Sequence, residues 1–237
     1  MLHRTIFLFI TLITLVLQVE AAPVLFKNKA AFDFAVAGLN NVQVETIDFE
    51  SQAFGAIIPN GSSMQGVTIN ENLPDAFELA VNGIGSTSGS NSLGVSADNG
   101  TTVLQFGLGD TVTFTFDIEA SHAFGLYIVV EGNFDFFADD VSLTFAGSTL
   151  SNVVADPAVV QFVGFDALWL GIVDDTATHT TAIVQFGPVS TGEIDDITFT
   201  RSLPPPPTVS EPSMIFLIGA GLLGFLGFRR RGRQLLP

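Results

Sequence analysis

The stretch Thr111-Val112-Thr113-Phe114-Thr115-Phe116-Asp117-Ile118 alternates between polar and apolar residues along its whole length. A period of two is typical of a β-strand that buries one face and leaves the other in water. Val141–Phe145 and Ile194–Thr200 alternate in a similar way. These patterns predict an all-β fold built from antiparallel strands.

Two other segments, Ala123–Val130 and Ala167–Val173, are continuous apolar runs. Runs of this kind are typical of strands that are buried on both faces. Further candidate strands, separated by Gly, Asn, Asp and Ser, are Val42–Phe49, Gly66–Ile69, Phe77–Val81, Thr102–Phe106, Ala158–Phe162 and Ala182–Phe186. So many short strands in one domain predict a β-sandwich, jelly-roll-like in topology.

One short helix is predicted near the N-terminal end of this domain, between Asn28 and Leu39. Asn28 is a suitable N-cap residue, and Phe32, Val36 and Leu39 lie on one helical face. Farther along, the segment Gly83–Gly100 is rich in Gly, Ser and Asn. That composition predicts a surface loop or the rim of a ligand site.

Acidic residues dominate the chain, which has 237 residues, 24 Asp and Glu, and a formal net charge of -16. Between its two ends, the body of the chain (residues 22–201) has only Lys27, Lys29 and Arg201 as basic residues. Because such a surface repels phosphate backbones, we expect no nucleic-acid partner. The lack of cysteine excludes disulfides and thiolate metal sites, and a hydrophobic content of 47% excludes a disordered body.

The first 21 residues have the pattern of a signal peptide. Met1–Arg4 is short and basic, Ile6–Val19 is almost entirely apolar, and Val19-Glu20-Ala21 resembles a signal-peptidase site. We therefore expect cleavage after Ala21. An uncleaved membrane helix is the alternative, but the apolar run is shorter than the ~20 residues that a span needs.

The C-terminal end has four parts in a fixed order. A linker, residues 202–213, contains a proline spacer at 204–207 followed by Ser210-Glu211-Pro212-Ser213. An apolar transmembrane segment is predicted at 214–228, and a basic tail follows at 229–237. The positive-inside rule places the basic tail in the cytoplasm and the body on the other side of the membrane.

This order resembles the PEP-CTERM sorting signal of Gram-negative bacteria, a tail also described as the C-terminal domain of ice-binding proteins. Glu211 and Pro212 match the second and third positions of its Pro-Glu-Pro motif, and Ser210 stands where the first proline is usual. The terminal arginine cluster is matched by Arg229, Arg230 and Arg231.

The resemblance implies export across the inner membrane and temporary anchoring there by the C-terminal helix. It also implies processing by an exosortase-type enzyme and a final place at the cell surface or outside the cell. An ordinary single-span anchor is the alternative.

No pattern in the body is typical of a catalytic site. His122 and His179 are its only histidines, and their spacing is not that of metal ligands. A Gly-x-Ser-x-Gly elbow is absent, since the middle residue of Gly85–Gly89 is Thr87. We therefore expect a protein that is not an enzyme.

Acids at the two ends of the body, Asp48-Phe49-Glu50 and Ile194-Asp195-Asp196-Ile197-Thr198, resemble a pairing found in carbohydrate-binding jelly rolls. The resemblance implies a structural calcium ion held by Glu50 and by Asp195 or Asp196. Ca²⁺ prefers hard oxygen ligands, which these carboxylates supply. The alternative is that the acids protect exposed strand edges from aggregation.

A second acidic cluster is a further candidate calcium site or simply a solvated loop; its members are Glu131, Asp135, Asp139 and Asp140.

Sugar binding by exposed rings has limited support in the sequence. Trp169 and Tyr127 lie in apolar runs and are predicted core residues, which leaves phenylalanines such as those at 134, 136 and 137. The favoured function is therefore an exported, non-enzymatic surface or matrix protein associated with exopolysaccharide. A carbohydrate-binding module is the first alternative, and a glycan-processing enzyme is the second.

Overall fold

The computed structural model describes residues 22–74, 76–83, 86–107, 109–117, 121–131, 139–152, 158–162, 164–187 and 191–204. The predicted signal peptide, sorting motif, transmembrane segment and basic tail lie outside these ranges. No helix within them is long and apolar enough to cross a membrane.

The described residues form one helix, α1 (Lys29–Ala37), and a series of short strands. The strands are β1 (Val24–Phe26), β2 (Val42–Ile47), β3 (Ile57–Ile58), β4 (Ser62–Met64), β5 (Val67–Asn72), β6 (Glu78–Asn82), β7 (Ser92–Ser96), β8 (Thr111–Phe116), β9 (Ala123–Glu131), β10 (Val141–Phe145), β11 (Ser148–Ser151), β12 (Val160–Gln161), β13 (Phe165–Val173), β14 (Thr181–Phe186) and β15 (Glu193–Ser202).

These strands form two antiparallel sheets. The nine-stranded sheet has the order β1-β13-β9-β15-β7-β6-β3, with β12 beside β13 and β2 beside β15. The six-stranded sheet has the order β11-β10-β14-β8-β5-β4. The predicted all-β sandwich with one short helix is therefore confirmed for the described part of the chain.

The alternation that predicts β8 also places its side chains. Val112, Phe114 and Phe116 are buried, whereas the intervening threonines face outward. The ring of Phe114 lies 5.2 Å from that of Phe124 in the other sheet, and Phe116 lies 5.6 Å from Phe199. These phenylalanines thus pack together with Ile, Val and Leu side chains in the core between the two sheets.

Helix α1 packs on the outer side of the nine-stranded sheet over β13 and the neighbouring part of β9, so outward residues of both strands are buried there. The ring of Phe32 lies 5.2 Å from Trp169, and Tyr127 lies 4.9 Å from Trp169. Asn28 accepts a hydrogen bond from the Ala31 amide at 3.0 Å and caps the helix as predicted. The two continuous apolar runs and the core position of Trp169 are therefore confirmed.

The predicted loop Gly83–Gly100 is partly wrong, because β7 lies within it and is buried along its whole length. Strand β7 contains a glycine, as loops often do, because the neighbouring backbone leaves no room for a side chain at that position. A side chain at Gly94 would bring its Cβ within 2.4 Å of the Leu104 carbonyl oxygen. Close packing therefore requires glycine in a central strand here.

Two of the predicted strands are also different in the structure. Thr102–Phe106 makes only isolated bridges, from Leu104 to Val95 and from Phe106 to Gly192. The predicted strand Ala158–Phe162 is reduced to the two residues of β12. Both segments run along existing strands without the repeated pairing that defines a strand of their own.

Candidate functional site

The three predicted calcium ligands come together at one loop. Glu50 follows β2, Asp195 and Asp196 belong to β15, and all three contact the segment Ser86–Asn91 between β6 and β7. We call these three acids and Ser86–Asn91 the acidic clasp. The contacts of Asp195 and Asp196 with this loop join positions more than a hundred residues apart, and those of Glu50 with Ser90 and Asn91 join positions 40 and 41 residues apart.

A bulge in β15 brings its two aspartates to the same place. Successive side chains of a regular strand point to opposite faces. The register of β15 against β9 shifts between Asp195 and Thr198, and Asp196 has a φ of 46°. As a result, Asp195 Oδ2 and Asp196 Oδ2 both lie 2.7 Å from Thr87 Oγ1.

Asp195 is fully buried, and its two carboxylate oxygens differ. Oδ2 accepts hydrogen bonds from Ser86 Oγ at 3.0 Å and from the Thr87 amide at 2.6 Å. Oδ1 is buried and has no hydrogen-bond partner among the described residues. Burial raises the pKa of Asp195 to about 6, the charge of Asp196 adds to this, and the hydrogen bonds from Thr87 and Ser86 oppose it.

The hydroxyl group of Thr87 cannot donate a hydrogen bond to both aspartates at once. A hydroxyl group carries one proton, so Thr87 can donate to only one of the two carboxylate oxygens beside it. The other oxygen then faces a lone pair at hydrogen-bond distance unless a proton or a cation lies between them. The pair is therefore a place where positive charge is stabilised.

Glu50 holds the other end of the same loop. Its Oε1 accepts hydrogen bonds from the amides of Ser90 and Asn91, each at 2.8 Å. Gly89 packs against this carboxylate so closely that an added Cβ would lie 2.2 Å from Glu50 Cδ. Ser86 Oγ lies between the two halves of the clasp, 3.5 Å from Glu50 Oε1.

The calcium prediction remains a prediction. Carboxylate and hydroxyl oxygens meet in the clasp, and Asp195 Oδ1 is an acceptor without a donor among the described residues, as suits a hard cation. The backbone amides of Thr87, Ser90 and Asn91, however, already donate to the same carboxylates. However, no group of three Asp, Glu or His side chains in the described ranges has an arrangement that could hold a metal ion. The hydroxyls of Ser86 and Thr87 lie between the carboxylates instead.

The second predicted acidic cluster is only partly visible. Asp135 and the side chain of Glu131 lie outside the described residues. Asp139 is exposed with a φ of 58°, and Asp140 is fully buried. Calcium binding at this cluster also stays a prediction.

A second polar cluster, which no sequence pattern indicates, is centred on Asp174 just after β13. Its Oδ2 lies 2.7 Å from His179 Nε2, and its Oδ1 accepts from Thr176 Oγ1 at 2.6 Å and from the Thr176 and Ala177 amides. Burial alone would raise the pKa of Asp174, but the hydrogen bonds from Thr176 and His179 outweigh it and lower the pKa to about 2. His122 contacts the carbonyl oxygen of Asp174 through Nδ1 at 3.0 Å.

Another buried carboxylate, Glu193, is also without a recognisable sequence pattern. It accepts hydrogen bonds from the side chains of Asn82 and Ser92 and is fully buried. Glu193 thus joins β15 to the hairpin of β6 and β7.

Comparison with known families concerns the tail. Residues 208–231 match the family model of the PEP-CTERM protein-sorting motif. The chain carries a PEP-CTERM sorting tail. The PEP-CTERM match includes Glu211, Pro212 and the arginines at 229–231, and it confirms the resemblance seen in the sequence.

A PEP-CTERM tail indicates an exported protein with a membrane-anchored sorting signal that an exosortase-type enzyme processes. The match covers the tail and leaves the β-sandwich unassigned. The search of curated proteins found no match for the chain.

Proposed function

We propose that this chain is a non-enzymatic protein of the cell surface or extracellular matrix of a Gram-negative bacterium, associated with exopolysaccharide. The observation that carries the proposal is the sorting tail at 208–231, which follows an acidic β-sandwich in the sequence. The tail accounts for export and anchoring, and the sandwich is then the part that acts outside.

The chemistry of the tail gives a sequence of events. The apolar segment 214–228 holds the chain in the inner membrane, with the arginines at 229–231 in the cytoplasm. The processing enzyme then cuts close to Glu211 and Pro212 and frees the body from its anchor. A chain with a net charge of -16 and no cysteine remains soluble in this setting without depending on disulfides.

The partners of the buried acids support a structural role. A catalytic carboxylate or histidine needs access to a substrate and a partner that activates it. Glu193 is fully buried and bonded to Asn82 and Ser92, and Asp174 is bonded to His179 and Thr176. These bonds join strands and turns to each other.

A carbohydrate-binding module is the second candidate, and exposed phenylalanine rings favour it. Phe162 and Phe165 stack with centroids 4.7 Å apart at the turn between β12 and β13, and Phe162 is 40% exposed. Aromatic rings on a surface stack on apolar and π faces of ligands. A module of this type would bind short oligosaccharides, and Phe162→Ala would abolish the binding.

A structural calcium ion at the acidic clasp is part of the proposal. Glu50, Asp195 and Asp196 bring three carboxylates to one loop, and Asp195 Oδ1 has no donor within the described residues. To bind there, a cation would replace the hydroxyls of Ser86 and Thr87 between the carboxylates. It would then supply the missing positive charge and join the end of β2 to β15. The body's few basic residues leave most of its acids without a positive partner, which favours such an ion.

Fractionation of the native host, combined with mass analysis of both ends of the mature protein, tests the main proposal. We expect a chain that begins at Ala22, ends between Ser210 and Ser213, and leaves the cells when the matrix polysaccharide is digested. A host without the processing enzyme is the control and should retain the intact tail in its membrane. Recovery of Arg233 in the mature surface protein would contradict the proposal.

A further inference from the structure

The outer face of the six-stranded sheet carries a regular array of small polar side chains. Strand pairing aligns its outward positions in three rows across the sheet. The first row is Ser63, Thr68, Thr115 and Thr181; the second is Asn70, Thr113, Ile183, Thr144 and Thr149; the third is Asn72, Thr111, Gln185, Ser142 and Ser151. We call these positions the hydroxyl face.

None of these positions is charged, although the chain has a net charge of -16. Ile183 is the only apolar member, and no aromatic ring belongs to the set. Two members of the face donate hydrogen bonds to a carboxylate, that of Asp117 just after β8. Asp117 accepts from Ser63 Oγ at 2.5 Å and from Thr68 Oγ1. This carboxylate is therefore at the border of the face and not on it.

The geometry makes the face a grid of hydrogen-bonding groups. Neighbouring strands lie about 4.8 Å apart, and alternate residues along a strand lie roughly 6.7 Å apart. Thr144 and Thr149 already form a hydroxyl pair across two strands at 2.9 Å. Thr113 and Thr115 make no side-chain hydrogen bond within the described residues, so their hydroxyls are available to water or a ligand.

Removing water from an uncharged face of this kind costs little free energy. Taking a charged group out of water costs much more than taking out a hydroxyl that gains a new hydrogen bond. Threonine is β-branched and therefore restricted at χ1, so its side chain loses little conformational entropy when a partner orders it. These positions can exchange their water for the hydroxyl groups of a ligand at small cost.

We propose that the hydroxyl face binds a neutral polysaccharide chain. The inference rests on the proposed association with exopolysaccharide and names the surface and the class of glycan. Asp117 at the border of the face and the net charge of -16 repel anionic polymers. The lack of aromatic residues and of apolar residues other than Ile183 disfavours a protein partner. A neutral polymer of repeating hydroxyls matches a neutral, repeating array of donors and acceptors.

This mode of binding has two consequences. Without aromatic stacking, each sugar unit contributes little, so affinity comes from many simultaneous contacts and rises with the length of the polymer. Because the contacts involve no charges, binding is almost independent of salt.

The test uses the purified full chain in mild detergent and measures its binding to insoluble neutral glucan particles. Thr113→Glu puts a carboxylate in the middle of the face and should weaken binding about tenfold or more. Thr46→Glu, at an exposed position of β2 in the other sheet, adds the same charge and should change nothing. Thr113→Val replaces the hydroxyl with a methyl group, keeps a β-branched residue in the strand and should give a smaller loss.

Equal binding by Thr113→Glu and Thr46→Glu would overturn the proposal, as would tighter binding to an anionic polymer such as alginate. In both cases, release of the protein from host cells by matrix digestion would still support the association with exopolysaccharide. Short neutral oligosaccharides that bind as tightly as the polymer would also overturn it and favour the ring pair Phe162 and Phe165. Dimerisation that Thr113→Glu abolishes would reassign the face to self-association.

Discussion

Asp174 and Asp195 are both buried aspartates of the nine-stranded sheet region, and their surroundings have opposite effects on them. Asp174 is surrounded by donors, including His179 and the Thr176 amide, and its pKa falls to about 2. Asp195 is buried beside Asp196, and its pKa rises to about 6. A buried carboxylate can thus stabilise a fold or strain it, and the local balance of donors and acids decides which.

The largest effect is expected from Asp174→Ala. The substitution leaves the Thr176 and Ala177 amides and His179 without their acceptor, which should lower the free energy of unfolding by about 3 kcal/mol. Urea unfolding measures the loss. The neighbouring Asp175→Ala, at an exposed position, is the control and should change stability by less than about 0.5 kcal/mol. Similar losses for both variants would mean that Asp174 is not a special anchor.

The second effect concerns calcium at the acidic clasp. Because only the folded state assembles the clasp, calcium at a hundredfold excess over Kd would stabilise the fold by about 2.7 kcal/mol. In a domain of this size, that is a rise in Tm on the order of 5 to 10 °C. Melting curves in calcium, in magnesium and in sodium chloride of equal ionic strength measure it.

Two variants make the calcium experiment specific. Glu50→Gln should remove the advantage of calcium, whereas Glu78→Gln, at an exposed position of β6, should keep it. If sodium chloride or magnesium does as well as calcium, screening explains the effect and the clasp holds no specific ion.

The third effect is the acid sensitivity of the Asp174 cluster. The pKa of Asp174 is about 2 in the folded state and 3.8 in its reference state. A carboxyl group with a lowered folded-state pKa adds stability above its unfolded pKa, and this contribution disappears as the pH falls through the folded value. The loss between roughly pH 4 and pH 2 should be about 1 to 2 kcal/mol, allowing for partial solvent screening.

Comparison with Asp174→Asn isolates this contribution from the other acids of the chain. The stability difference between wild type and Asp174→Asn should shrink as the pH falls across this window. A difference that stays constant with pH would show that the Asp174 charge does not matter.

The smallest effect is expected from Asp195→Asn in the presence of a chelator. The variant removes a charge beside Asp196 and retains an acceptor for Thr87, so stability at neutral pH should stay within about 1 kcal/mol of wild type or rise slightly. The Tm gives the result. A loss as large as that of Asp174→Ala would mean that both aspartates stabilise the fold in the same way.

The fold was predictable where a residue pattern corresponds to one kind of burial, on one face of a strand or on both. Strict alternation in Thr111–Phe116 and the apolar run Ala167–Val173 gave the one-sided strand β8 and the covered strand β13. The pattern failed at β7, where close packing against Leu104 requires a glycine that is otherwise typical of loops.

The candidate site was predictable only in part. The pairing of Glu50 with Asp195 and Asp196 was expected, and the structure brings all three to one loop. The contribution of Thr87 could not be predicted, because it depends on a bulge and on a contact over more than a hundred residues. The pair Asp174 and His179 lies in a turn, where a spacing of five residues has no recognisable pattern.

Strand β15 is the last strand of the sandwich, and it has three neighbours. It pairs with β9 on one side and with β7 and β2 on the other. During export, the earlier strands therefore reach the far side of the membrane before the strand that joins them. The nine-stranded sheet can close only when Glu193–Ser202 has crossed, shortly before the sorting tail that begins at residue 208 arrives. The order of the chain thus makes closure of the nine-stranded sheet one of the last steps of translocation.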